Sequence, residues 1–140
     1  MPRPLPELVL FLDHCLGTSI VASALRAEGS KVEILRDHFP QNTPDEVWLS
    51  SVGDRGWVVL TKDKRIRHRE VEREALLRSG VAAFVLTAGE ISGHDIASAF
   101  LAAYPRMRRI CRDVSKPFIA TVSARGAVRL LPRGRRQRWS

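Results

Sequence analysis

No run of apolar residues in this 140-residue chain approaches the roughly 20 needed to cross a bilayer, which argues against a membrane-spanning protein. Cysteine is scarce. Cys15 and Cys111 are too few for a disulfide scaffold and neither has zinc-site spacing, so both are expected as reduced thiols in a cytoplasmic protein. A secretory leader is not expected, because the opening residues run straight into Leu8-Val9-Leu10-Phe11-Leu12, and Asp13 and His14 follow instead of a small-residue cleavage site. Internal repeats are absent. His14, His38, His68 and His94 are scattered without metal-ligand spacing, and no nucleophile elbow surrounds Ser19. Acidic residues are in deficit, 15 against 23 Lys and Arg, which gives a formal net charge of +8.

What is present fits one domain over residues 1–131 with a basic tail at 132–140, since 140 residues suit a single core and not two. Apolar residues at 44% and charged residues at 27% are ordinary for a folded globular chain. The positive excess is clustered. Arg106, Arg108, Arg109 and Arg112 form one block, and Arg133, Arg135, Arg136 and Arg138 another, a pattern that suits a polyanionic partner.

Strand and helix signals alternate. Leu8 to Leu12 reads as a buried parallel strand, followed by a helix from Gly17-Thr18-Ser19 to Gly29. Lys31 to Leu35 reads as a second, more exposed strand that gives way to a loop at Asp37 to Asn42. Thr43-Pro44-Asp45-Glu46 has the form of a capping box, with Thr43 at the cap, Pro44 at the first helical position and Glu46 reaching back. Trp57 to Thr61 is strand-like and ends at Lys62-Asp63. A helix over Glu70 to Ser79, a strand over Ala82 to Leu86 and a helix over Ser92 to Tyr104 follow. Phe118 to Val122 and Ala127 to Leu131 flank a turn and read as a terminal hairpin at or near a sheet edge. The fold class is therefore α/β, with a mostly parallel central sheet flanked by helices.

In such sheets the site forms beyond the carboxyl ends of the strands, where Asp13 and Asp63 both fall if the first and third strands are parallel. Asp45, at a helix start, projects toward the same edge. Three carboxylates without His or Cys suit a hard cation such as Mg2+ or Mn2+, and the corresponding reaction is phosphodiester hydrolysis. Plainer roles stand beside these: Asp13 as a helix cap, Asp45 as a dipole partner, Asp63 as a turn residue, Glu46 as a capping-box acid before a metal ligand. Arg65, Arg67 and Arg69 alternate, so in an extended segment they would line one side of the site and meet phosphates. Lys62 and His14 are the further candidates for contact with substrate.

Phe11-Leu12-Asp13-His14-Cys15-Leu16-Gly17, Thr43-Pro44-Asp45-Glu46-Val47-Trp48-Leu49 and Val58-Val59-Leu60-Thr61-Lys62-Asp63-Lys64-Arg65 together resemble compact PIN-like domains, including VapC-type toxins. The resemblance spans roughly residues 8 to 105. Its most specific element is an apolar strand ending in Thr-x-Asp, some 18 residues after an acid near a helix start. It implies a Mg2+- or Mn2+-dependent endoribonuclease with Asp13, Asp45 and Asp63 as ligands, RNA as substrate, and a toxin role with a cognate antitoxin and a homodimer as partners. The family pattern usually supplies a fourth acid between the first and third, for which Glu46 or Asp37 could substitute here.

Two other readings share some of these residues. A phospho-receiver also carries acids after strands one and three, a Thr after strand four (Thr87) and a Lys-Pro pair (Lys116-Pro117), but here the apolar run follows that pair. A non-catalytic nucleic-acid-binding module would need only the basic blocks.

Overall fold

The computed structural model describes residues 3–16 and 19–132, apart from the side chain of Arg67. Gly17, Thr18 and the arginines of the tail lie outside the described residues.

The chain forms β1 (Val9–Leu12), a 3-10 turn (His14–Leu16), α1 (Ser19–Ala27), β2 (Lys31–Ile34), α2 (Leu35–His38) and α3 (Asp45–Arg55). It continues through β3 (Val58–Thr61), α4 (Lys64–His68), α5 (Glu70–Arg78), β4 (Ala82–Leu86), α6 (Gly93–Asp113), β5 (Phe118–Val122) and β6 (Val128–Leu130). The six-stranded sheet has the order β2-β1-β3-β4-β5-β6. All neighbouring pairs are parallel except β5 with β6, which close the expected C-terminal hairpin. β1 lies between β2 and β3, so the winding reverses there and leaves a crevice at the carboxyl ends of β1 and β3.

Alternation along the strands sorts the core into two layers. Leu10, Leu12, Val58, Leu60, Phe84 and Ala120 pack on one face with residues of α1 and α6. Phe11, Val59, Ala83, Val85 and Ile119 pack on the other with Trp48 and Val52 of α3, Ile66 of α4 and Leu76 of α5. Phe11 is fully buried, with its ring 5.5 Å from Trp48 and 5.9 Å from Trp57. Burial of that side chain contributes roughly 1.5–3 kcal/mol. The same parity carries past the strand ends. Asp13 continues the Phe11 set and Thr61 the Val59 set, so both side chains emerge on the α3 and α5 face.

α3 ends on Gly56 in the left-handed conformation, φ 73°. Within α3, a Cβ at Gly53 would collide with the Ser79 carbonyl oxygen, so glycine there is what lets α3 lie against the end of α5.

Several local expectations are corrected. Residues 35–38 form a helical turn, so the loop begins later than Asp37. The capping box is not made: α3 begins at Asp45 with Pro44 at the cap position and no side-chain cap, because the Thr43 hydroxyl donates to the Pro40 carbonyl at 2.8 Å. The segment after Asp63 is helical, not extended, so Arg65, Arg67 and Arg69 do not line one side by alternation. Asp63 caps that helix by accepting from the Arg65 backbone N–H at 2.9 Å.

α6 runs nine residues past Tyr104, to Asp113, and carries Pro105 inside it. A proline there removes one helix bond, but Ala103 and Met107 on either side are completely buried, and that packing holds the helix through it. The Arg106 to Arg112 block is therefore a helix surface. Two of its members tie down the segment before β1: Arg108 Nε donates to the Pro6 carbonyl at 2.8 Å, and Arg112 Nη1 to the Arg3 carbonyl at 3.4 Å. Among the described residues no helix is long and apolar enough to cross a membrane.

Candidate functional site: an acidic cleft at the winding reversal

Each acid reaches the crevice by the logic of the fold. Asp13 is the residue after β1, and its N–H extends the ladder to the Leu60 carbonyl at 3.1 Å. Asp63 lies two residues after β3. α3 runs back toward the start of β3, and the short α4 and then α5 follow from its end, which brings the first turns of α3 and α5 to the carboxyl edge. Asp45 is the first residue of α3 and Glu72 the third of α5, where the helix dipole favours a carboxylate. Asp13, Asp45, Thr61, Asp63, Arg65 and Glu72 line one cleft of about 60 Å³, floored by Trp48, Val59 and Leu76. That volume is far below the roughly 300–1,000 Å³ of an organic-ligand pocket; it suits an ion with part of its water shell.

The side chains are held individually. Asp13 is 6% exposed; its Oδ2 accepts from the Thr61 hydroxyl at 2.9 Å. Its Oδ1 is buried and accepts no hydrogen bond. His14 Nδ1 stands 2.8 Å from that oxygen, a charge contact when the imidazole is protonated but not a hydrogen bond. Asp45 Oδ1 accepts from Trp48 Nε1 at 3.0 Å, which satisfies the indole N–H of a buried tryptophan and orients the carboxylate along the cleft wall. Both oxygens of Asp63 are engaged by the Arg65 guanidinium, with Nη2 2.7 Å from Oδ2. That pairing holds the Asp63 carboxyl below the usual carboxylate range. Glu72 Oε2 is a second buried oxygen with no hydrogen-bond partner.

Cys15 sits between the two sheet faces, with Sγ 3.1 Å from Thr61 Oγ1 and accepting from the Lys62 N–H at 3.3 Å. Burial first, and the nearby Asp13 charge second, push its thiol up to about 11, so it is a neutral thiol at physiological pH and not a nucleophile.

Of the residues singled out from sequence, Asp13, Asp45, Asp63 and Arg65 come together. Glu46 and Asp37 do not: both are solvent-exposed and neither lines the cleft. Lys62 points to the other side of the edge, into a hollow with Cys15, Ser19 and Ile20, and His14 is exposed above Asp13. The side chain of Arg67 lies outside the described residues. Glu72 was missed because an acid was sought before Asp63. The signal was available, since a helix following β3 must start at the same edge and its first turn carries Glu70 and Glu72.

Among the described residues no three acidic, His or Cys groups converge as a ready-made cation cage. The donor set still fits a hard cation of the magnesium type, which binds one or two carboxylates directly and reaches others through water. The two orphaned oxygens, Asp13 Oδ1 and Glu72 Oε2, are the positions such an ion would satisfy.

The phospho-receiver alternative fails on topology. Lys116 precedes β5 and its Nζ donates to the Gly56 carbonyl at 3.4 Å, just before β3, so it lies at the amino edge of the sheet, opposite Asp13.

Comparison with known proteins bears on the same region. The chain is 30% identical over 126 residues to a Mycobacterium tuberculosis protein named "Putative ribonuclease VapC45", an alignment covering 87% of this chain and 91% of that one. No solved structure matches the chain with statistical significance. A family profile described as "PIN like domain" matches residues 8–88, from the residue before β1 to just beyond β4. That span contains all four acids of the cleft, and the chain belongs to the PIN-like domain family.

Proposed function

We propose that the protein is a metal-dependent endoribonuclease that hydrolyses RNA phosphodiester bonds in the cleft between β1, β3, α3 and α5. The observation that carries this reading is the pair of buried carboxylate oxygens that accept no hydrogen bond, Asp13 Oδ1 and Glu72 Oε2, on the lining of one cleft. Leaving two such acceptors unsatisfied costs stability, on the order of 1–3 kcal/mol each, and folds tolerate that where a ligand completes the site. The ribonuclease name of the mycobacterial relative supports the same chemistry.

In this reading Asp13, Asp45 and Asp63 hold Mg2+ or Mn2+, with Glu72 in place of Glu46 as the fourth acid. When bound, the cation supplies Lewis acidity to the phosphodiester and its attacking water. The protein's own residues do the rest. Trp48 fixes the Asp45 carboxylate, Thr61 fixes Asp13, and the apolar floor keeps bulk water from the back of the cleft. Lys62, across the edge, and His14, exposed above Asp13, meet the phosphates beside the scissile bond, while the Arg65 guanidinium holds Asp63. The resemblance to VapC-type toxins extends the reading to a cytoplasmic toxin of a toxin-antitoxin pair, held by a cognate antitoxin and able to form a homodimer.

The test is incubation of purified protein with a mixed cellular RNA pool in Mg2+, in Mn2+ and in EDTA. Discrete cuts in either metal, abolished by EDTA, are expected. Bound but intact RNA under all three conditions would replace the enzyme with a binding module.

A further inference from the structure

Thr61 bonds the side chain of one strand-end acid and the backbone of the other. It is completely buried. Its Oγ1 donates to Asp13 Oδ2 at 2.9 Å, accepts from the Asp63 backbone N–H at 3.1 Å, and lies 3.1 Å from Cys15 Sγ. A hydroxyl has one proton and two lone pairs. The proton is committed to Asp13, because an ionised carboxylate can only accept. One lone pair takes the Asp63 N–H, and the Cys15 thiol stands beside the oxygen at 3.1 Å, with its Sγ also 3.6 Å from Asp13 Oδ2, to which it donates. Cys15 is held in its turn by the Lys62 N–H at 3.3 Å. With its proton on Asp13 and a lone pair on the Asp63 N–H, the hydroxyl is held in one orientation, and Asp13 is held with Oδ2 tied back and Oδ1 without a hydrogen bond.

We propose that Thr61 is a positioning residue: by binding Asp13 Oδ2 and the Asp63 backbone through one oxygen, it sets which Asp13 oxygen is offered to the cation and how far apart the two strand-end acids stand. The inference rests on the reading of the cleft as a cation site. It separates Thr61 from a residue that only fills the core, because β-branched Val would fill the same space equally well. Groups that orient a metal ligand typically change metal affinity by roughly 10–100-fold when removed.

The experiment is Mn2+ binding, followed by isothermal titration and by the electron-spin signal of free Mn2+, on wild-type protein, Asp13→Asn, Thr61→Val, Thr61→Ala and Thr61→Ser. Thr61→Val is expected to bind Mn2+ at least about tenfold more weakly than wild type, and Thr61→Ser within about threefold of wild type, since it restores the hydroxyl. Thr61→Ala repeats the comparison should the valine variant not fold. Wild-type affinity in folded Thr61→Val or Thr61→Ala, with only the melting temperature lowered, overturns the inference and leaves the cation site standing. Wild-type protein that takes up no Mn2+, or takes it up as well after Asp13→Asn, overturns the reading of the cleft and this inference with it.

Discussion

Arg65 closes over Asp63. Its Nε lies 3.1 and 3.2 Å from the two carboxylate oxygens, its Nη2 2.7 Å from one of them, and its backbone N–H caps the other at 2.9 Å. The acid most clearly marked by sequence as a cation ligand therefore has a guanidinium already on it. An extended Arg65 would have been free to meet phosphate; the helical turn of α4 brings it back onto Asp63 instead.

The pairing makes a pH-dependent contribution to stability. The Asp63 carboxyl is held below its ordinary value, chiefly by the Arg65 side chain. A depressed acid stabilises the fold above its unfolded value, about 3.9, and loses that contribution as pH falls through the lower folded value. Arg65 is 51% exposed, so solvent screens the pair and the contribution is small, about 0.5 kcal/mol. Denaturant titrations of wild type and Asp63→Asn should differ by that amount at pH 6 and begin to converge only once the pH falls below about 4. A difference that grows as pH falls would show that the pair is not what depresses Asp63.

Glu72 and Glu46 should behave oppositely. Glu72→Gln removes a negative charge from a cleft that already holds Asp13 and Asp45, and replaces a half-buried carboxylate, whose Oε1 lies 3.9 Å from Arg69 and whose Oε2 has no hydrogen bond, with a neutral amide. The metal-free protein is expected to gain about 0.5–1 kcal/mol of stability and to lose RNA cleavage by roughly tenfold or more. Glu46→Gln alters an exposed side chain outside the cleft and should change cleavage by no more than about twofold. Calorimetry of the metal-free proteins together with initial cleavage rates separates the two; a stronger effect at Glu46 would return the fourth-acid role to it.

Arg108 is structural. It binds the Pro6 and Leu5 carbonyls at 2.8 and 3.1 Å, and its guanidinium lies 5.9 Å from the centre of the Tyr104 ring. α6 starts at the carboxyl edge and runs back, so Arg108 stands near the opposite edge from the acidic cleft. Arg108→Ala should cost about 1–2 kcal/mol and speed proteolysis before β1, with cleavage of RNA nearly unchanged. Unchanged stability with a large loss of RNA affinity would restore the arginine block as a polyanion surface.

The strands were legible because each is a short apolar run whose inward residues alternate between two helix layers, and Asp13 and Asp63 follow from where those runs end. Asp45 was legible from its place at a helix start, although the cap proposed for it does not form. What the sequence concealed depends on contacts distant along the chain. α4 is a basic pentapeptide without apolar periodicity, apart from Ile66 packing on the α3 and α5 side. The extension of α6 through Pro105 depends on Met107 being covered by the rest of the core. Thr61 read as the last residue of a strand; only the fold brings its hydroxyl to Asp13, 48 residues away.

The acids of this cleft are the groups that would cut RNA. The most direct measurement compares metal-dependent cleavage of one RNA by wild type, Asp13→Asn and Asp63→Asn, with circular dichroism melts of the same preparations. Folded variants whose cleavage is at least about 100-fold slower, with RNA still bound, are expected. Cleavage at the wild-type rate by either folded variant would contradict that role and place the chemistry elsewhere on the molecule.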